Sequence, residues 1–270
     1  SACDSMAPPI DALMEPVNAV ARGLVAMGVN AADIWVYDAI RALPDRLVNK
    51  DLYGVTFFDG SASGICRNEA GFRYVPETKV AFTPPAGVSV ADEHVTDVLV
   101  NAHYLINMPI MKGSHILAGV TLGFKNHFGT IHNPAGLHDQ VDVVHTPPAY
   151  RTDYNPLVDL MRSPLLGAKT VLTIGDGLFA AKVWTEPPVP WSTFGNRVPN
   201  SLFFARDPVA IDCLMHDLLL AEPGTGVPNG ANNYLWLAAQ EGLGVFEQGN
   251  PWQQPYGSGY SQIWYERVEV

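Results

Sequence analysis

Cysteine is almost absent: Cys3, Cys66 and Cys213 are the only three in 270 residues, and none forms a CxxC pair. That excludes a zinc ribbon and a Cys-ligated iron–sulfur cluster, and it limits the chain to one internal disulfide. Charge is sparse too, with charged residues at 16% against 47% hydrophobic, the reverse of the balance that keeps a chain disordered. Positive charge is the scarcer sign. Sixteen Lys and Arg against 27 Asp and Glu give a formal net charge of -11, whose field repels polyanions, so nucleic acid is not an expected partner. No apolar run approaches the roughly 18 to 20 residues of a membrane-spanning helix, and no basic segment followed by an apolar one opens the sequence. No transmembrane segment is therefore expected.

What is present reads as an alternation of helices and strands. From 11 to 28, Leu13, Val17, Val20, Leu24 and Met27 form a helical stripe that Gly28 is placed to cap. β-formers follow at 33–38 and 52–58, then a Gly and Ser loop at 60–64 and an irregular stretch at 67–92 punctuated by prolines. Residues 97–106 predict a strand, Ser114 an N-cap for a helix over 115–125, and 126–152 a long loop rich in His, Asn and Pro. A short helix at 155–161, a strand at 169–174 ending in Gly175-Asp176-Gly177, and a strand at 201–205 come next. Asp207 then caps a helix reaching 220, a last helix spans 231–241, and an aromatic tail closes the sequence. The pattern predicts one α/β domain over 1–270: a mostly parallel or mixed sheet, helices on both faces and the long loop as an insertion. Ligands in such folds sit beyond the carboxyl ends of strands, which points to Asp38, Asn107, Asp176 and Asp207 as neighbours of one crevice.

The densest polar stretch runs from Asn107 to Asp139. Lys112 and Lys125, two of six lysines, flank Gly-containing turns in an acidic protein, a pattern suited to gripping a carboxylate or phosphate. Lys125 also has a dipole-complementing reading at a helix end; Lys112, ahead of the expected helix, does not. His115 and His127 are candidate general acids or bases, with Asp176 in its Gly-Asp-Gly setting as a third catalytic candidate. Asn107, Asn126 and Asp38 are candidate binding residues. Five of eight histidines fall between 115 and 145, and His127, His132, His138 and Asp139 form a candidate transition-metal set, although their spacing matches no His-metal signature. The competing reading makes these histidines caps and loop residues. Cys213 reads as a small core residue.

The ordered string Asn107-x-Pro-x-x-Lys112-x-x-His115-x-x-Ala-Gly119-Val-Thr-Leu-Gly-Phe-Lys125-Asn126-His127-Phe-Gly129-Thr-Ile-His-Asn-Pro134, then His138 and Asp207-Pro-Val-Ala-x-Asp212, resembles the domain of unknown function family 362 over roughly residues 10 to 220. Ile34-Trp-Val-Tyr-Asp38 with Arg41 resembles the branch whose members carry twin-arginine export signals. The resemblance implies an α/β fold and a periplasmic or extracellular location, and it implies no reaction. Relatives begin with a further strand and a Lys-x-Asn segment, so an upstream strand and export segment are expected to precede this sequence. Many relatives also append a ferredoxin-like Cys-rich module; none is present here, so a redox role would need another cofactor.

Three functions follow as expectations. The first is an exported enzyme or binder acting on a small anionic molecule through Lys112, His115, Lys125 and His127. The second is a His-rich metal-binding protein. The third is a non-catalytic component of a periplasmic or cell-surface assembly, or a homo-oligomer, joined through the Pro and Trp-rich stretch at 184–199 and the aromatic C-terminal tail.

Overall fold

The structure, a computed structural model, describes residues 3–4, 10–60, 65–113, 119–138, 145–146 and 149–270. Its contacts group into two compact units, one of Ser1–Lys79, Asp92–His103 and Phe128–Pro134, the other of Val80–Ala91, Tyr104–His127 and Ala135–Val270. The fold class is α/β, with a three-stranded parallel sheet, a five-stranded mixed sheet and a two-stranded antiparallel sheet among the described residues.

In the first unit, helix α1 (Met14–Ala26) follows the apolar stripe and buries Met14 and Ala21 against Leu47, Val55 and Phe57. Its end is set by Gly28, whose φ of 95° returns the N–H to Val25 O at 2.9 Å. Asn18, buried on α1, donates to Lys50 O and accepts from Leu52 N, tying the helix to the segment that leads into the sheet. Strands β1 (Trp35–Asp38), β2 (Thr56–Asp59) and β3 (Asn68–Glu69) are all parallel, in that order, with Asp38 opposite Asp59; short α2 (Asp45–Val48) joins the first two. Asp59 is fully buried and accepts N–H bonds from Leu43, Cys66 and Arg67, beside the Cys3–Cys66 disulfide.

The expected strand over 97–106 is corrected here. Asp97–Asn101 is a helix, α3, because Thr96 turns its hydroxyl onto Val98 N and its own hydrogen onto Gly71 O, starting a helical turn before the β-formers can pair. Only Leu105–Asn107 of that stretch is strand.

The first regular element of the second unit is that strand, β4, followed by β5 (Ile110–Gly113), β6 (Val120–Thr121), α4 (Gly123–Asn126), α5 (Ala135–His138), the paired β7 (His145–Thr146) and β8 (Ala149–Tyr150), and α6 (Pro156–Arg162). The long β9 (Thr170–Ala181) then runs beside β4 and β5 in parallel and beside β10 (Ser201–Ala205) antiparallel, while β6 pairs antiparallel with β5. Helix α7 (Pro208–Ala221), capped by Asp207 as expected, packs on β9 and β10, and α8 (Asn233–Gln240) packs on α7. Apolar on nearly every side, α7 is the central helix of this unit.

Two further expectations change. The helix over 115–125 is replaced by β6 and the four-residue α4, since Gly119 adopts a φ of 76° and breaks any continuous helix; Ser114 and His115 lie outside the described residues. Gly175-Asp176-Gly177 does not end a strand but lies inside β9. A side chain at Gly175 would sit 2.5 Å from Met215 Sδ, and one at Gly177 2.8 Å from the Phe203 ring, so the glycines serve packing under α7 and β10.

Candidate functional site

Within the second unit Asn107, Asn126 and His127 meet at the carboxyl end of β4. Asn107, buried, donates through Nδ2 to Gly123 O at 2.9 Å and lies 3.5 Å from His127 Nε2, while its Oδ1 accepts from Asn126 Nδ2 at 2.8 Å. Asn107 thus locks the two ends of α4 together through its amide. Asp176 lies three residues past Thr173, the partner of Asn107 on β9, and its N–H bonds Pro109 O at 2.7 Å. Its carboxylate accepts from Leu178 N and is raised above the ordinary range, chiefly by burial.

Thr121 links the two lysine positions, one through the ladder and one through a side chain. Lys112 stands directly opposite Thr121 in the β5–β6 ladder, and the buried Lys125 places Nζ 3.3 Å from Thr121 Oγ1. Directly opposed residues share a sheet face. The Lys125 ammonium is thus held in a buried setting, where the field of a charge is strengthened.

Burial pushes His127 down to about 4, so it is a neutral imidazole at physiological pH instead of a group titrating near neutrality. It is suited to hydrogen bonding or to accepting a proton, not to storing one.

Behind the cluster stands a residue that sequence reasoning placed in the family string without giving it a role. Asp212, fully buried on α7, accepts Gly123 N–H at 2.8 Å, Phe124 N–H at 3.0 Å and Tyr234 O–H at 3.1 Å. Burial pushes it up to about 7, with those three donors pulling the other way. A Cβ on Gly123 would come 2.7 Å from Asp212 Oδ1, so glycine is required there for the carboxylate to reach the backbone of α4. The signal available in the sequence was an acid in the middle of the apolar run Val209–Leu219, since unpaired Asp is rarely buried. Cys213 is a buried core residue as expected, its thiol pushed up to about 12.

Asp38 and His132 belong to the first unit. Asp38 accepts from Ile40 N and Arg41 N, and burial raises it to about 6. His132 lies 3.0 Å from Glu93 and beside His94. Of the expected metal set, Asp139 lies outside the described residues, and no group of three or more His, Cys, Asp or Glu placed to hold a metal occurs among the described residues. The aromatic tail packs on its own chain: Tyr260 O–H and Gly249 N–H both bond Asp217, and Glu247 accepts from Ser261, Gln262 and Ile263. Trp264 remains 90% exposed. No helix among the described residues is long and apolar enough to cross a membrane.

A family model described as a domain of unknown function, DUF362, matches residues 17–217. Searches of curated proteins and of solved structures found no match for the chain.

Proposed function

The chain belongs to the DUF362 family of domains of unknown function, and from that premise we propose that it binds, and acts on, a small carboxylate or phosphate held by Lys112 and Lys125. The observation that carries this reading is that Lys125 Nζ reaches Thr121, the residue opposite Lys112 in the β5–β6 ladder, in a unit that also fixes the Asn107–Asn126 amide pair at the end of a parallel strand. In this reading the lysines supply charge, and Asn107 and Asn126 supply hydrogen-bonding groups already fixed by each other. His127 supplies a neutral imidazole, and Asp176, held above the usual carboxylate range, is the group that exchanges a proton with the bound molecule. We also propose that the protein works outside the reducing cytosol; the Cys3–Cys66 disulfide supports that placement.

Thermal melts in the presence of inorganic phosphate, citrate and other small carboxylates test the reading. A ligand at a hundred times its Kd stabilises the folded state by about 2.7 kcal/mol, a rise of several degrees in Tm. Lys125→Met and Lys112→Met should each abolish that rise while the ligand-free Tm stays within a few degrees. A ligand-induced rise that survives both substitutions places the anion elsewhere and contradicts the assignment.

A further inference from the structure

His94 and His132 sit opposite each other in the first unit. The bridge Val95↔Ile131 is antiparallel, with His132 N bonded to His94 O, so these two histidines form the next cross-strand pair and share a face. Their ring centroids are 5.8 Å apart.

Each Nδ1 is held from behind. The single hydroxyl hydrogen of Thr78 is directed to the carbonyl of Arg73 or Val75, so its oxygen accepts from His94 Nδ1–H at 2.9 Å and leaves His94 Nε2 with its lone pair bare. His132 Nδ1 lies 3.0 Å from Oε2 of Glu93, a fully buried carboxylate that also accepts Asn133 N–H and whose Oε1 has no hydrogen-bond partner among the described residues. The His94 backbone N–H also points at this Nδ1 from 3.1 Å, so an unprotonated Nδ1 accepts from His94, and a proton on it turns the ring to donate to Glu93, the form that frees Nε2.

An imidazole whose Nδ1–H is fixed by an oxygen and whose Nε2 carries no hydrogen is the form that ligates a metal. We propose that His94 and His132 together hold one transition-metal dication of the zinc, copper or nickel kind through their Nε2 atoms, with Glu93 and Thr78 as the outer partners of the two rings. With a metal–nitrogen distance near 2.1 Å, each ring centre lies about 3.2 Å from the ion, so two rings can share an ion when their centres are within about 6.4 Å. The 5.8 Å separation satisfies that limit.

Beside the two rings, the exposed Asp92 is paired with Lys79 at 2.7 Å. Phe72 makes a T-shaped contact with the His132 ring, and the exposed Tyr74 makes one with each histidine ring at 5.3 Å. No third protein ligand completes a metal-holding group among the described residues, so water fills the remaining positions and micromolar affinity is expected.

Isothermal titration of zinc chloride into the full chain at pH 7.5 is expected to show this site, with His94→Gln and His132→Gln each weakening it by about tenfold or more. Zinc bound equally well by both variants belongs to other histidines and overturns the proposal, as does an absence of zinc binding by the unaltered chain up to about 1 mM. Acylation of the unaltered chain by diethyl pyrocarbonate covers the case in which a variant fails to fold. Zinc should then protect His94 and His132, read by peptide mass, and equal labelling with and without zinc overturns the assignment.

Discussion

Asp212 receives three hydrogen bonds and keeps no exposed surface, so its two oxygens hold the start of α4 against α7 and α8. Removing them strands two backbone donors and the Tyr234 hydroxyl in an apolar interior. Asp212→Ala should therefore lower stability by about 3 to 5 kcal/mol in urea unfolding, and Asp212→Asn by less, since the amide keeps the shape and one acceptor. A loss of under about 0.5 kcal/mol for the alanine variant would show that the contact does not hold α4. At this scale the sequence was informative about residue type and silent about partners. Asn107, Asn126 and His127 were legible as polar groups crowded into one segment. Their pairing with one another, and the carboxylate 85 residues after His127 that anchors them, depends on how α7 is laid down.

Elements were most legible where a terminus carries its own chemistry. Gly28 ended α1 and Asp207 began α7 as expected, because a positive φ and a side-chain acceptor for two N–H groups are local requirements. Asp97-Val-Leu-Val misled because a short apolar run carries no period that separates helix from strand; a threonine cap decided it. Thr96→Ala should accordingly cost about 1 to 2 kcal/mol, measured by chemical denaturation, with the loss of the Gly71 bond included. An unchanged midpoint would mean that packing alone forms α3. The Gly-Asp-Gly strand interior was illegible for a different reason, since the glycines answer to Met215 and Phe203, residues distant in sequence.

Across the whole molecule, buried acids and buried histidines give stability opposite slopes with pH. Asp212 and Glu93 are raised to about 7, and Asp38 and Asp217 to about 6, so the folded state keeps protons that the unfolded chain releases above pH 4. That contribution falls as pH rises from 4 to 7. His127 and His216, lowered to about 4, contribute stability that grows from pH 4 to 6.5 and is complete above it. Between pH 6.5 and 7.5 only the falling contribution remains, so Tm should decline over that interval; a rise would contradict the assignment of these acids as protonated below it. The disulfide joins residues 63 apart, and its reduction should lower the stability of the first unit by about 4 kcal/mol through loss of chain restraint.

The most direct test of the anion site is a crystal structure of the protein soaked in selenate or tungstate, whose anomalous scattering locates the oxyanion without ambiguity. The account predicts a peak within hydrogen-bonding reach of Lys125 Nζ and the Lys112 side chain, next to Thr121. An oxyanion bound with high occupancy elsewhere, and none between those lysines, would contradict it.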